Sequence, residues 1–351
     1  MIQVDRFPNL PSAKIIPMKI PYKVSIIIPV YNGSRTLRKT LETAQRQRDP
    51  SFEVIVVDDG STENISSLVR ELGARHHRLP MNMGPAAART EGARVASGQV
   101  LLFTDSDVWL PENTISIIRQ AFEDHACSCV QGTFSKQCPY PDFFSQYKNL
   151  YNRYVLNRLP DWIETTYTSL TAIGREFFFE CGGFDQNIRT ASVEDRTLGE
   201  NIIRHGGTIY LEKRLEVIHN KHLSPGGFFR NQFRRSRDLA KLMQRQKASG
   251  FLSPGRGFGT HSRESMYRLP AVFLSILCLL LSILTPWMAA PMALCIGAFL
   301  LFSRNWLRHL RKEKGLWFAL RGSLLDFVDA FVSGCGVLAG LFEYKRLGKK
   351  Y

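Results

Sequence analysis

Two carboxylates two residues apart, Asp105 and Asp107, directly follow an apolar run and have the spacing of a divalent-cation site. Mg²⁺ and Mn²⁺ prefer oxygen ligands, and they need few from the protein when a diphosphate supplies the rest. A lone Asp-x-Asp motif is weak, because chance produces it in chains of this length. Its place at the end of a predicted strand favours a cation site, to which His219 could add a ligand.

A second acidic pair, Asp58 and Asp59, follows another apolar run and precedes a Gly-Ser turn. The carboxyl ends of strands form the edge at which open α/β sheets bind ligands. A carboxylate there can accept hydrogen bonds from a base N–H or a ribose hydroxyl. Asp and Gly are also favoured in turns for backbone reasons alone. The sequence leaves both interpretations open.

The third pair, Glu194 and Asp195, opens a segment in which Leu198, Ile202 and Ile203 share one helical face. Carboxylates at the start of a helix often act only as caps or as partners of the helix dipole. The functional interpretation is a general base, which needs an ionised carboxylate within hydrogen-bond reach of a hydroxyl. Both interpretations remain open from the residues alone.

Short apolar runs that alternate with amphipathic segments predict the elements that position these residues. The predicted strands are VSIIIPV (24–30), EVIVVDD (53–59) and QVLLFTD (99–105). The predicted helices are 34–47, 63–73 and 86–97. Nearly continuous apolar, β-branched strands are typical of sheets that are buried on both faces. Strands and helices in this alternation indicate an α/β fold with a mainly parallel sheet.

The chain of 351 residues has a formal net charge of +15, which calls for an anionic partner such as nucleic acid, a lipid surface or a phosphorylated substrate. Most of this charge lies in residues 204–268, where Arg234 and Arg235 could neutralise a diphosphate or bind lipid head groups. The seven cysteines include no Cys-x-x-Cys pair, which argues against a zinc ribbon or a disulfide framework. We expect no nucleic-acid partner, because such a role would not explain the apolar segment that follows.

Residues 269–303 contain no charged residue. A single helix of this length would be roughly 50 Å long, well beyond a bilayer core of about 30 Å. Pro286 and Pro291 interrupt the segment, so we predict a hairpin of two transmembrane helices, 269–285 and 287–303. The alternative is a hairpin buried in a soluble core, where uncharged runs of this length are rare.

A further apolar segment, 315–342, is predicted to be a third span or a helix that lies at the membrane interface. Arg268 precedes the hairpin, and Lys and Arg residues follow it and also close the chain. The positive-inside rule places all three groups in the cytoplasm only if the number of crossings is even. We therefore favour two spans plus an interfacial helix.

In combination, these motifs resemble the family 2 glycosyltransferases of the GT-A fold. The resemblance runs from about Lys23 to Lys241. The similar segments are VSIIIPVYNGSRTLRKTLET, VIVVDDGST, NMGPAAARTEGARVASGQVLLFTDSD, GREFFFECGGFDQNI and VEDRTL. No single motif is decisive, but five in the family's order and spacing make a strong signal. The fold that the resemblance implies is a GT-A nucleotide-diphospho-sugar transferase domain, followed by the transmembrane hairpin.

The resemblance assigns a role to the residues of each motif. The implied nucleotide-binding residues are Pro29, Tyr31, Asp58, Asp59, Arg89, Asp105 and Ser106. The implied acceptor-side residues are Gly182, Gly183, Phe184 and Asp185. The implied ligands of Mg²⁺ or Mn²⁺ are Asp105, Asp107 and His219. Asp195 would be the catalytic base with Glu194 as its companion, and the diphosphate would be bound by Arg234 and Arg235.

The implied activity is metal-dependent, inverting transfer of one sugar from a nucleoside-diphosphate sugar to a hydroxyl acceptor. Processive members carry a QxxRW motif, and the corresponding QFRRSRD (232–238) has Ser in place of Trp, which argues for a single transfer. The apolar hairpin suggests membrane lipids as partners and a lipid-linked or membrane-associated acceptor. We expect the enzyme at the cytoplasmic membrane, with its catalytic domain facing the cytoplasm.

The sequence predicts five segments and leaves two rival functions open. The segments are an extended lead-in (1–22), the GT-A domain (23–246), a basic Gly/Ser-rich linker or loop (247–268), the transmembrane hairpin (269–303) and a basic C-terminal region (304–351). One rival is a nucleotidyltransferase, although PVYNGSRT is a poor version of the phosphate loop that it would need. The other rival is a basic membrane-associated binding protein with a non-catalytic GT-A-like domain.

Overall fold

The structure, a computed structural model, describes residues 22–189, 191–251 and 263–347. These residues divide into two compact units. The first unit contains the chain up to Pro141 and Val155–Lys221, and the second contains Asp142–Tyr154 and the chain from His222 onward. Apart from Tyr22, the lead-in predicted at 1–22 lies outside the described residues.

A sheet of nine strands forms the centre of the first unit. The strands are β1 (Val24–Val30), β2 (Phe52–Asp58), β3 (Arg75–Arg78), β4 (Val100–Thr104), β5 (Val108–Trp109), β6 (Cys129–Phe134), β7 (Trp162–Ile163), β8 (Leu170–Gly174) and β9 (Ile209–His219). Their order is β3-β2-β1-β4-β8-β6-β9-β5, and β7 pairs with β9. The first four strands pair in parallel, whereas β8 runs antiparallel to both of its neighbours. β6 and β9 also pair in parallel, and β5 and β7 run antiparallel to β9. The sheet is therefore mixed, with its longest parallel part in the first four strands of that order.

The antiparallel part of the sheet depends on contacts between segments that are far apart in sequence. Gln131 of β6 is buried, and its side-chain amide donates to the carbonyls of Tyr167 and Leu170. Its Oε1 accepts the Tyr167 N–H and the Thr171 hydroxyl. A buried polar side chain that is fully paired favours one arrangement of the strands around it. No alternation of strands and helices along the chain signals this arrangement.

The described residues contain eleven α-helices. They are α1 (Ser34–Gln45), α2 (Ser66–Glu71), α3 (Pro85–Val95), α4 (Thr114–His125), α5 (Phe143–Asn157), α6 (Arg175–Glu180), α7 (Glu194–Arg204), α8 (Pro225–Ala248), α9 (Arg263–Ser282), α10 (Ala289–Lys314) and α11 (Leu316–Leu347). The first three correspond to the predicted helices. α2 begins later than the predicted 63, because Asn64 Oδ1 accepts the Ser66 N–H and holds a turn in front of the helix.

Close packing of α3 against the parallel strands brings the next motif to the edge of the sheet. Every residue of β1 except Pro29 is buried. A Cβ at Gly92 of α3 would overlap with Ile27 and would lie 2.9 Å from Val57 Cγ2. Only glycine therefore allows α3 to approach the sheet this closely, and the approach fixes the position of Arg89 one turn earlier in the helix.

The second unit is built from long helices. An aromatic cluster of Tyr147, Phe228 and Trp306 packs at its centre together with Leu310. α8 packs mainly against α11, so the domain boundary predicted at 246 falls inside a helix of this unit. The predicted linker is helical at both of its ends, where α8 finishes and α9 begins, and its middle lies outside the described residues.

The predicted apolar hairpin is formed by α9 and α10, which are joined through a short 3-10 turn at Pro286–Met288. Two described segments, Pro286–Lys314 and Leu316–Arg346, are long and apolar enough to cross a membrane. Tyr267–Ser282 is a shorter apolar helix. The second leg of the hairpin is longer than predicted, because α10 continues beyond the apolar run to Lys314.

Candidate active site

Asp58 ends β2, and its side chain is held inside the first unit. Its Oδ1 accepts the Ser61 N–H at 2.8 Å, and its Oδ2 lies 3.2 Å from Arg78 Nη1. His76 Nε2 lies 3.5 Å from the same Oδ2. Since the side chain is fully buried and these groups surround it, the carboxylate fixes the turn after β2 and the end of β3. For Asp58, the contacts favour the turn interpretation.

Asp59 holds the loop that precedes α3. Its two oxygens accept the N–H groups of Met83 and Gly84 at 2.8 and 2.9 Å. Burial raises the pKa of this carboxyl, and the two backbone hydrogen bonds reduce the shift without cancelling it. The loop lies directly on Gly60, where φ is +71° and a Cβ would come within 2.7 Å of the Asn82 backbone nitrogen. Asp59 therefore lies at a tightly built edge of the sheet.

Tyr31 follows β1 beside this edge, and its side chain is 50% exposed. The next residue, Asn32, has φ of 50° and is tied down on both sides. Its N–H donates to Ser61 Oγ at 3.0 Å, and its Oδ1 accepts the Thr62 N–H at 2.9 Å. The exposed ring is thus presented on a fixed backbone, which is the arrangement that suits stacking on a nucleotide base.

Two other residues assigned to the nucleotide site lie close to this turn. Pro29 is the one residue of β1 that is not buried. The Ser106 carbonyl accepts the Thr40 hydroxyl at 2.9 Å. A Cβ at Gly33 would lie 3.4 Å from Ser106 Oγ, so Ser106 lies beside the turn that follows β1. The structure therefore brings Pro29, Tyr31 and Ser106 to the same end of the sheet.

Arg89 joins the first and third acidic pairs through Asp105 and Glu194. Its side chain is buried; Nη2 lies 2.7 Å from Asp105 Oδ1, and Nη1 lies 3.3 Å from Glu194 Oε1. Ser169 donates its hydroxyl to the other Asp105 oxygen at 2.9 Å. Burial alone would lower the pKa of Arg89, but Asp105, Glu194 and then Asp195 raise it above its ordinary value. A charged guanidinium therefore lies between the donor-assigned Asp105 and the pair assigned to catalysis, Glu194 and Asp195.

Asp107 faces a different group of side chains. Its Oδ1 lies 3.4 Å from His219 Nε2, and its Oδ2 lies 4.0 Å from Lys221 Nζ. The pairing of β5 with the end of β9 places His219 here, and the ring stacks on Phe134 with a centroid separation of 5.4 Å. Burial raises the pKa of Asp107, but His219 and Lys221 outweigh it and hold the pKa well below the usual range.

The donor set around Asp107 fits a divalent cation. Among the described residues no hydrogen-bond partner reaches the buried His219 Nε2, which faces the Asp107 carboxylate. Imidazole nitrogen with carboxylate oxygen suits Mn²⁺, and carboxylate oxygen suits Mg²⁺. Asp105 does not complete a cluster, since its carboxylate is directed to Arg89 and Ser169. No group of three His, Cys, Asp or Glu side chains forms a metal site in the described part of the chain.

The segment assigned to the acceptor side begins with the end of α6. The N–H groups of Gly182 and Gly183 donate to carbonyls of the last turn, and both glycines have positive φ, of 84° and 58°. This is a glycine C-cap of the helix. Phe184 is buried, and its ring lies 5.7 Å from the Arg89 guanidinium carbon. Asp185 Oδ1 accepts the N–H two residues later and shapes the following turn.

The third acidic pair forms the first turn of α7, and its two members differ in burial. Glu194 is buried and accepts the Ser192 N–H at 2.7 Å in addition to its contact with Arg89. Asp195 is only partly buried, and its Oδ1 accepts the Arg196 N–H at 2.8 Å. The helix N-terminus stabilises an ionised carboxylate at this position. Glu194 is therefore part of the framework, and Asp195 is the more accessible carboxylate.

Arg234 and Arg235 lie on α8 of the second unit. Arg235 is exposed, and Arg234 Nη2 lies 3.3 Å from Asn231 Oδ1 on the same helix. Their assignment to the diphosphate stays a prediction.

The structure adds residues that sequence reasoning did not single out. Lys221 lies beside Asp107, and Ser169 donates to Asp105. Lys221 follows the end of β9 by two residues, so the alternation of side chains along a strand does not predict its position. Ser169 carries no sequence signal either, since only the pairing of β8 with β4 brings it to Asp105.

Residues 25–183 match the model of the family described as Glycosyl transferase family 2. Glycosyltransferase GlyA of Streptococcus pneumoniae serotype 4 is 30% identical over 121 residues, which cover 33% of this chain and 17% of GlyA. Validoxylamine A glucosyltransferase of Streptomyces hygroscopicus subsp. limoneus is 28% identical over 239 residues, which cover 56% of this chain and 52% of that protein. The chain thus spans about half, or less, of the length of these relatives.

The mannosyltransferase PcManGT from Pyrobaculum calidifontis, solved in complex with GDP-Man and Mn²⁺, has a similar structure. The TM-score is 0.57 at 18% sequence identity, and the match covers 97% of this chain and 91% of PcManGT. At this identity the likeness concerns the fold, and it confirms the predicted GT-A type.

Proposed function

We propose that this chain, whose residues 25–183 form a family 2 glycosyltransferase domain, moves a single sugar from a nucleoside-diphosphate sugar to a hydroxyl acceptor, with inversion and with a divalent cation. The observation that carries the proposal is the position of Arg89 between Asp105 and Glu194. One guanidinium group links a side chain assigned to the donor with the pair assigned to catalysis. A direct displacement needs this proximity, because its two reactants must meet in one site.

The edge of the parallel strands is the proposed site of the nucleotide. Its base would stack on the exposed Tyr31 ring and hydrogen-bond to Asp59. A carboxylate has about four lone-pair positions, so Asp59 can bind a base N–H while it keeps its two backbone donors. Asp58 is less suited, because its buried carboxylate is surrounded by the groups of the turn.

Asp107 and His219 are the residues that would hold Mg²⁺ or Mn²⁺. A cation there supplies Lewis-acid stabilisation of the negative charge on the departing diphosphate. Lys221 adds a positive charge to the same group of residues. The structural neighbour PcManGT was solved with GDP-Man and Mn²⁺, which supports a donor and an ion of the same classes here.

Asp195 is the proposed general base. It accepts the proton of the acceptor hydroxyl while that oxygen attacks the anomeric carbon from the face opposite the diphosphate, so the configuration inverts. Glu194 and Arg89 hold the first turn of α7 and orient Asp195. The missing Trp in QFRRSRD supports one transfer per acceptor.

The proposed acceptor is lipid-linked or membrane-associated, and the proposed location is the cytoplasmic membrane with the catalytic domain in the cytoplasm. The support is the pair of described segments that are long and apolar enough to cross a membrane. Basic residues at the ends of α10 and α11 lie on one side of the membrane, as the positive-inside rule requires of cytoplasmic segments, only if α11 does not cross.

The decisive experiment measures the binding of a panel of nucleoside diphosphates and their sugars to the solubilised full chain, with and without Mn²⁺. We expect one nucleotide to bind in a Mn²⁺-dependent way and the Mn²⁺ dependence to disappear in Asp107→Ala, because this variant removes the carboxylate that faces His219. Isothermal titration calorimetry would report both effects.

Asp161→Ala is the matched control, because Asp161 is an exposed aspartate of the same unit whose carboxylate pairs with the surface Lys213. It should bind the nucleotide as the wild type does. If no nucleotide binds under any metal condition, the glycosyltransferase proposal fails at its first step.

A further inference from the structure

α8 and α11 of the second unit are packed tightly along their length. The contacting pairs are Gln232 with Asp329, Phe233 with Gly336, Arg237 with Gly340, and Lys241 with Glu343. The Gln232 amide lies 2.8 Å from both oxygens of Asp329, and a Cβ at Gly336 would come within 2.5 Å of the Phe233 carbonyl oxygen. From Asp329 to Glu343, α11 therefore cannot be separated from α8 without breaking these contacts.

α8 has the composition of a helix that stays out of lipid hydrocarbon. Over the stretch that touches α11 it carries Arg234, Arg235, Arg237, Asp238 and Lys241. Charged side chains at the centre of a bilayer are costly, and Arg235 is exposed here. Because α11 runs beside this helix, it cannot cross the bilayer, although its length and apolar composition would allow a crossing.

The opposite side of α11 is apolar and exposed near both ends of the helix, and its middle is covered by α9. Its exposed residues are Trp317, Leu320, Leu324, Val328, Leu338 and Phe342. These positions recur at helical spacing and form one stripe. A long helix with one face packed on a polar helix and one apolar face open lies in the plane of a membrane surface.

The hairpin of α9 and α10 is attached to α11 only near its base. Arg268 and Ser303 both bond to Asp326 at 2.8 Å, and the Phe299 ring packs on Phe327 with centroids 5.2 Å apart. Phe273 lies against Gly334. Past these contacts, α9 and α10 each continue for about two or three turns before they meet.

The free end of the hairpin is strongly apolar and open. Ile283, Leu284, Trp287 and Leu294 are 79, 82, 85 and 75% exposed. From Phe299 to the start of α10 the helix rises about 15 Å, at 1.5 Å per residue. A bilayer core is about 30 Å thick, so the hairpin reaches only about its middle.

Basic side chains surround this apolar surface. Arg304, Arg308, Arg311 and Lys312 on α10, together with Arg321 and Arg346 on α11, are all exposed. On α10 they begin directly after Ser303, which bonds to Asp326 of α11, and this is the level of the head groups if α11 lies on the membrane. Their charge is complementary to anionic phospholipids.

We propose that the second unit is a monotopic membrane module: α11 lies along the surface of an anionic leaflet, and the α9–α10 hairpin enters that leaflet and turns near the bilayer midplane without crossing. The inference rests on the membrane association proposed above and replaces the two crossings expected from the sequence. It does not rest on the sugar-transfer chemistry.

The test measures the depth of the hairpin turn in vesicles that contain anionic phospholipid. The full chain carries Thr285→Cys as its labelling site, with Cys138, Cys278, Cys295 and Cys335 replaced by Ser and a fluorophore on the new thiol. The remaining Cys127, Cys129 and Cys181 are buried and stay unlabelled. We expect nitroxides at the ends of the lipid chains to quench the label severalfold more than nitroxides on the head groups.

A second measurement uses the native tryptophans and brominated lipids, in case the labelled variant folds poorly. Trp287→Phe should remove the part of the tryptophan fluorescence that is quenched by bromines deep in the lipid acyl chains. Trp317 lies on α11, and Trp317→Phe is the control. This variant should remove the part of the tryptophan fluorescence that is quenched by bromines near the head groups.

A crossing hairpin gives the opposite pattern. Head-group nitroxides would then quench the Thr285→Cys label most, and iodide trapped inside the vesicles would reach it; this result would overturn the proposal. Oligomers that form instead of vesicle binding would show that a second copy covers the hairpin, and would overturn it as well. Nucleotide binding, measured on the same sample, reports separately on the proposed chemistry.

Discussion

Arg89 is the residue whose role changes most between sequence and structure. The motif resemblance assigns it to the nucleotide, but its buried guanidinium joins Asp105 to Glu194. No pattern along the chain predicts this link, because Glu194 lies 105 residues further on. The geometry makes Arg89 a positioning residue for both halves of the site.

Replacing Arg89 by Lys tests this role. Lysine keeps the charge but lacks the planar guanidinium group that bonds to Asp105 and Glu194 at the same time. Hydrogen bonds to charged groups are worth about 1.5–3 kcal/mol, so we expect kcat/KM to fall roughly 10- to 100-fold. Steady-state transfer assays measure the loss. Arg94→Lys, at an exposed position of the same helix, should retain wild-type activity.

The Asp195→Asn variant tests the proposed base. Loss of a general base lowers rates by about 10²- to 10⁴-fold. We expect kcat to fall by this amount while nucleotide-sugar binding remains, because Asp195 is not among the residues proposed to bind the donor. Calorimetry and turnover on the same preparation separate the two. Turnover close to that of the wild type would remove Asp195 from this role.

At the scale of the elements, the sequence pattern predicts only strands that are continuous apolar runs. β1, β2 and β4 are such runs, and their observed ends lie within a residue or so of the predicted ones. The antiparallel strands are different, because their partners are chosen by buried groups such as Gln131 rather than by a local pattern. For this reason only β1, β2 and β4 were predicted from the sequence.

Gly92→Ala tests the close approach of α3 to the sheet. The added methyl group would overlap with Ile27, and overpacking a core costs about 1–3 kcal/mol. We expect a loss of that size in the free energy of unfolding, measured by chemical denaturation. Gly226→Ala on α8 is the control, since nothing lies within 4 Å of the added group. Equal stability of Gly92→Ala and the wild type would contradict the packing argument.

At the scale of the whole molecule, charge and apolar surface act together. The net charge of +15 attracts the chain to anionic surfaces, and the range of this attraction shortens as the salt concentration rises. The apolar hairpin would instead keep the chain on the membrane by burial in lipid, which salt does not screen.

We therefore expect the rate of association with anionic vesicles to fall steeply as the ionic strength rises from about 0.01 to 1 M, over which the Debye length shrinks from about 30 to 3 Å. Chain that is already bound should remain bound when salt is added. Stopped-flow light scattering and vesicle flotation measure the two effects. Release of bound chain by salt alone would indicate that only surface charge holds it.

The sequence alone determined β1, β2 and β4 and the existence of an apolar hairpin, because each depends on residues close together in the chain, where local periodicity and spacing are informative. The GT-A fold class was implied by the resemblance of motifs between Lys23 and Lys241 to those of a known family. The tertiary structure decided which carboxylates share a site: Asp107 faces His219, Asp105 is held by Arg89, and Asp58 fixes a turn. It also placed α11 beside a charged helix, which composition could not predict, because packing partners are chosen in three dimensions.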